Sequence, residues 1–137
     1  MSLLERIKHH EGYRSKVYKC TEGYDTIGYG FAIKDLELDE EIAELILIRK
    51  LDKLMNRINK TFHWWRTAEE EAKNVVVEMC YQLGVTGFSN FKKTIAYLQN
   101  KQFKEASVEM LDSRWAEQTP NRAKELSNRV KEVDSGH

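Results

Sequence analysis

The chain has one proline and two cysteines among 137 residues, and its formal net charge is zero. A lone proline, Pro120, leaves little room for long irregular linkers. Two cysteines, Cys20 and Cys80, cannot form a disulfide framework, and reduced thiols fit synthesis in a cytoplasm. Lys and Arg number 22 and Asp and Glu number 22. There is thus no basic excess of the kind a general nucleic-acid-binding surface carries, although a local basic patch for an acidic polymer remains compatible. The longest apolar stretch, residues 43–48, is broken by Glu44 and is far too short to span a bilayer, so no membrane insertion is expected. The start, Met1-Ser2-Leu3-Leu4-Glu5, lacks the basic and apolar regions of a secretory signal. His9, His10 and His63 have no Cys or acidic partner at ligand spacing, so neither a metal nor another cofactor is expected. There is no internal repeat and no low-complexity segment.

What is present suits one helix-rich folding unit of α+β class, mainly α. Hydrophobic residues make up 41% and charged residues 32%, and a chain of this length buries roughly two-thirds of its unfolded surface. Residues 1–37 read as a small lobe, a short helix followed by a β-hairpin. Residues 38–60 read as a long interlobe helix. Asp39 caps it, Glu40 and Glu41 suit its positive end, and Leu47, Leu51, Leu54, Met55 and Ile58 form its stripe. Residues 61–137 read as a helical lobe. There, Thr67-Ala68-Glu69-Glu70 has the form of a capping box, opening a helix that Gly84 ends. Two short helices follow over residues 92–99 and 102–111. Thr119-Pro120 signals a last helix, running to about Val133 and leaving a frayed tail over residues 134–137. Phe62, Trp64 and Trp65 read as interlobe packing, with a partner surface as the alternative. Trp115 and Cys80 read as core.

The densest chemistry lies in residues 11–30, EGYRSKVYKCTEGYDTIGYG. A carboxyl, a thiol and a hydroxyl stand at fixed intervals: Glu11, Cys20, Thr26. Leu3, Leu4 and Ile7 precede them at helical spacing, which puts Glu11 near the end of a helix. The Val-, Tyr-, Thr- and Ile-rich run broken by Thr-Glu-Gly reads as a hairpin. A helix end followed by a hairpin allows three such side chains to share a cleft.

This stretch resembles the active-site segment of the phage-type lysozymes, the T4 lysozyme-like family of glycoside hydrolases. The pattern is Glu, eight residues, Asp or Cys, five residues, Thr, then Ile-Gly-x-Gly, here Ile27-Gly28-Tyr29-Gly30. Two further blocks follow in the family's order: Tyr81-Gln82-Leu83-Gly84 with Thr86-Gly87, and Ser113-Arg114-Trp115 with Gln118-Thr119-Pro120-Asn121-Arg122-Ala123. The resemblance implies two lobes with a cleft between them. It implies a peptidoglycan hydrolase cleaving the β-1,4 bond between N-acetylmuramic acid and N-acetylglucosamine. The connection from Gly30 to the long helix is shorter than the family's, which implies a reduced small lobe.

By resemblance Glu11, Cys20 and Thr26 are catalytic, Arg122 is the arginine that pairs with the acid, and Gly30, Ala32, Tyr81, Gln82, Thr94 and Glu109 contact substrate. Ala32 and Glu109 depart from the residues expected at saccharide-contacting positions. Glu11 serves as the acid that protonates the leaving oxygen, which requires that it hold a proton near neutral pH. A free thiol is only a few per cent ionised at pH 7. Cys20 therefore admits two chemistries: it holds a water with Thr26 and the anomer inverts, or its sulfur attacks and the configuration is retained. Thr26, well suited to orient water, and the weakly ionised thiol favour water.

Arg14, Lys16, Lys19 and Lys34 form a candidate patch for an anionic wall. The family implies a monomer, made in the host bacterial cytoplasm, that reaches the glycan strands through a separate holin pore at lysis. The alternatives are a virion-associated lysozyme used at entry and a lysozyme scaffold that grips glycan without cutting it.

Overall fold

Ser2 starts the first helix. Its hydroxyl accepts the Glu5 N–H at 3.1 Å, and the Glu5 carboxylate accepts the Ser2 N–H at 3.4 Å. This reciprocal capping box opens α1 (Leu3–Glu11). The helix ends where Gly12 leaves helical geometry and its N–H bonds the Lys8 carbonyl at 2.9 Å. Three antiparallel strands follow in spatial order β1 (Arg14–Lys19), β2 (Asp25–Gly28), β3 (Phe31–Ala32). The hairpin read from the sequence is β1 and β2; β3 was not expected, because two residues are too few to show a period. A 3-10 turn over Ile33–Asp35 leads to α2 (Glu40–Thr61). The Asp39 carboxylate accepts the Ile42 N–H at 2.9 Å, as its capping position requires.

The computed structural model describes residues 1–135. By its internal contacts the chain divides into two units, Met1–Leu45 and Ile46 onward, so the division falls inside α2. In residues 1–45 the one buried side chain is Thr26, 3% exposed. The stripe on α2 is graded: Leu47 is exposed, Leu51, Leu54 and Met55 are half-buried, and Ile58 is fully buried.

From Ile46 onward the structure is helical: α3 (Glu70–Ser89), α4 (Lys92–Gln99), α5 (Phe103–Leu111), α6 (Arg114–Gln118) and α7 (Pro120–Ser135). α5 packs on α4 and α7, and α7 also packs on α3 and α6. Their core holds Ile58, Val75, Val76, Met79, Cys80, Phe88, Met110, Trp115, Leu126 and Val130. Phe88 meets Phe62 edge-on at 5.6 Å and stacks with Phe91 at 6.1 Å. Among the described residues no helix is long and apolar enough to cross a membrane.

Four details differ from the sequence reading. Thr67 does not cap α3: it ends a 3-10 turn over Trp65–Thr67, its hydroxyl donates to the Trp64 carbonyl, and α3 begins at Glu70 without a side-chain cap. The cause is Trp65, which is buried and donates its indole N–H to the Lys73 carbonyl at 3.1 Å, drawing the preceding turn inward. Phe62 and Trp65 accordingly belong to the core of the helical unit, with Trp64 packed beside them. Gly84 kinks α3 rather than ending it; at φ 77° and ψ 159° it takes a conformation open to glycine, and helix resumes through Ser89. Finally, α6 was not read, although Ser113 caps it by accepting the Ala116 N–H at 3.1 Å.

Pro120 opens α7 as expected, while the Thr119 hydroxyl donates back to the Trp115 carbonyl at 3.0 Å. α7 runs to Ser135, two residues beyond the expected end. Of the tail expected to fray, Gly136 and His137 lie outside the described residues.

Two substitutions separate core from cap. Phe88→Ala should cost about 3–5 kcal/mol through lost burial and a residual cavity, and Asp39→Ala about 1 kcal/mol through one lost cap. Urea denaturation of each variant checks the ranking.

Candidate functional site

Glu11 is the last residue of α1 and is exposed. Its side chain lies along Gly30, just past the β2–β3 turn: a Cβ built on Gly30 would stand 2.6 Å from the Glu11 Oε2. The structure therefore brings these two expected site residues together.

Thr26 and Cys20 meet through one peptide. The Tyr24 carbonyl accepts the Thr26 hydroxyl at 2.9 Å and the Cys20 N–H at 3.0 Å. The Tyr24 N–H and then the Glu22 N–H pull the Cys20 thiol below its ordinary ionisation range. Partial desolvation and the Glu22 carboxylate oppose them. The premise that this thiol is as weakly ionised as a free one is thus corrected. Backbone donors in a tight turn stabilise an anion, and no spacing pattern reveals them. Cys80 is the opposite case, a buried thiol pushed up to about 12 by desolvation.

Sheet register places Thr26 opposite Tyr18 on one side and Ala32 on the other. Directly paired residues share a face, so Ala32 lies beside Thr26. The expected cationic patch is largely engaged. Lys19 pairs with Asp25 at 2.8 Å, the Arg14 guanidinium stands 4.7 Å from the Tyr18 ring centroid, and the Lys34 ammonium stands 3.8 Å from that of Tyr24. Lys19 in particular is offset by its acid, which weakens the patch as an anion site.

The remaining expected residues lie in the helical unit. Tyr81 is exposed on α3. The Gln82 side-chain oxygen accepts the indole N–H of buried Trp115 at 2.9 Å, a bond not foreseen, which fixes the amide in place. Thr94 and Glu109 line one cavity of about 620 Å³ together with Leu83, Phe91, Trp115 and Gln118. Lys92, Lys93, Asp112 and Arg114 supply its charged lining. Arg122 is half-buried in the first turn of α7. The zero net charge is also unevenly distributed: residues 1–45 hold six Lys and Arg against ten Asp and Glu, and residues 46–137 hold sixteen against twelve. The basic excess is on the helical unit, whereas the residues of the patch named from sequence all belong to residues 1–45.

The two thiols should therefore separate in reactivity. Near pH 8 iodoacetamide should label the native protein once, at Cys20, faster than a free-thiol standard. In denaturant it should label both cysteines. Peptide mass mapping of the native product reads this, and native labelling at Cys80 would contradict the assignment.

Comparison with known proteins follows the same elements. Residues 8–132 match the Phage lysozyme family. Probable T4-type lysozyme 1 of Dictyostelium discoideum is 29% identical over 159 residues, covering 94% of this chain and 91% of that protein. Probable T4-type lysozyme 2 of the same organism is 27% identical over 158 residues with the same coverage. Both alignments are longer than this chain, so the relatives carry residues that it lacks. Pre-baseplate central spike protein Gp5 of Enterobacteria phage T4 is 26% identical over 155 residues, covering 93% of this chain and 27% of that protein. With the family match running from α1 into α7, the chain belongs to the Phage lysozyme family.

Proposed function

We propose that this protein hydrolyses the glycan strands of bacterial peptidoglycan, at the β-1,4 bond between N-acetylmuramic acid and N-acetylglucosamine. The observation that carries the reading is the Tyr24 peptide, which joins Cys20 to Thr26 in a chain whose family is that of the lysozymes. Glu11 is the acid. It donates its proton to the leaving glycosidic oxygen as the bond from that oxygen to the anomeric carbon breaks. A water held between Cys20 and Thr26 attacks the anomeric carbon from the opposite face. Its proton passes to the Cys20 thiolate, leaving a hemiacetal of inverted configuration. The Thr26 hydroxyl, with its hydrogen given to Tyr24, turns its lone pairs toward such a water. Solvent then reprotonates Glu11 and takes up the thiol proton.

In this reading Ala32, beside Thr26, leaves space above the sheet, and the helical unit offers Tyr81, Gln82, Thr94, Glu109 and Arg122 to the polymer. The basic excess of that unit suits an anionic wall. Release of progeny phage from the host, after holin-dependent access from the cytoplasm, is the proposed setting. The likeness to a phage spike protein favours a second setting, wall opening at entry by a virion-associated enzyme.

Clearing of purified peptidoglycan tests the reaction. Glu11→Gln keeps shape and hydrogen bonding but lacks the transferable proton, and should fall by at least ~100-fold. Binding of the wall by both proteins with clearing by neither would leave a glycan-binding module. NMR of the first product should show the inverted anomer, whereas retention would mean attack by sulfur. While Glu11 keeps its proton, the rate should rise with pH as the Cys20 thiolate forms. Because backbone donors lower that ionisation, the rising limb should lie below the ordinary thiol range, and Cys20→Asp should move it lower still.

A further inference from the structure

The glycine nearest the acid stands out. A Cβ on Gly30 would lie 2.6 Å from the Glu11 Oε2, 3.4 Å from its Cδ and 3.8 Å from its Cβ. The whole acid side chain thus rests on a stretch of backbone with no side chain of its own. Gly30 also has φ +76°, which L residues rarely adopt. Two demands therefore fall on one position, a backbone turn and an empty space. Gly23 carries only the first: its φ is +85°, and a Cβ there would meet nothing within 4 Å.

We infer that Gly30 is a positioning residue for Glu11, acting through the carboxyl group it seats rather than by touching the glycan. An added methyl would displace the far end of an exposed, flexible side chain. It would therefore shift the acid with little further loss of stability beyond the backbone strain that Gly23→Ala also suffers. The inference rests on Glu11 being the acid of the proposed hydrolysis.

The test compares Gly30→Ala with Gly23→Ala. In a soluble-glycan assay Gly30→Ala should lose roughly 100-fold in kcat, the scale expected when a reacting group is misplaced by about 1 Å, with KM within about twofold of wild type. The two variants should lose similar amounts of Tm, and any loss of kcat in Gly23→Ala should come with a shifted Cys20 limb of the pH profile, since Gly23 lies between the Glu22 and Tyr24 amides. The carboxyl carbon resonance of Glu11 should move in Gly30→Ala and stay in Gly23→Ala. A raised KM at unchanged kcat would overturn the inference by placing Gly30 against substrate. Movement of the Glu11 resonance in both variants would reduce it to backbone strain, and an unmoved Glu11 resonance in Gly30→Ala would sink it outright. If wild type has no activity, the hydrolase reading falls, and the resonance still decides whether Gly30 seats Glu11.

Discussion

The small unit depends on a close approach between a helix end and a strand turn. α1 must stop at Glu11, and the chain must return from β2 into β3 so that Gly30 passes under the Glu11 side chain. Neither element has a core to hold it: Thr26 is the one buried side chain in the first 45 residues. Order therefore comes from backbone geometry and hydrogen bonds. The Ser2–Glu5 box fixes the start of the helix, and the Tyr24 carbonyl ties the ends of β1 and β2. In such a lobe a misplaced methyl group alters position more readily than stability, because little packing resists it.

The helices from α2 onward work the other way, and this explains what sequence could and could not foretell. α4, α5, the Asp39 cap and the Pro120 start were legible because each rests on local signals: apolar spacing, a capping carboxylate, a proline at the first turn. The failures lie where a distant contact overrides a local signal. Thr67 has the sequence of a cap, yet burial of Trp65 and its bond to Lys73 carry the residue into a 3-10 turn. Gly84 has the sequence of a stop, but Val85 and Phe88 are buried, and their packing supports a resumed helix beyond the kink. β3 has only two residues, and its pairing with β2 defines it.

Site residues divide along the same line. Glu11, Cys20 and Thr26, the proposed catalytic residues, stand in a spaced pattern, and that pattern pointed to the family. What sequence could not supply was the peptide of Tyr24, whose role is carried wholly by backbone atoms and is indifferent to the side chain attached. The charge distribution was half legible. A zero sum suggested a local patch near the hairpin, but Lys19 is paired there with Asp25, and the basic excess resides on the helical unit.

Backbone donors around Cys20 also give a physical reason why a thiol can stand where the family pattern otherwise has aspartate. N–H groups aimed at an anion lower its basicity whatever its chemical type. A carboxylate already has little affinity for a proton at neutral pH, and such donors weaken it further as an acceptor for the proton of water. It can then do little more than orient the water by charge. A thiol starts well above neutrality, and the same donors bring it toward the range where a general base is most effective. The Tyr24 and Glu22 amides therefore lower the Cys20 thiol, and in the proposed reaction that lowering is what suits the thiolate to take the proton of water.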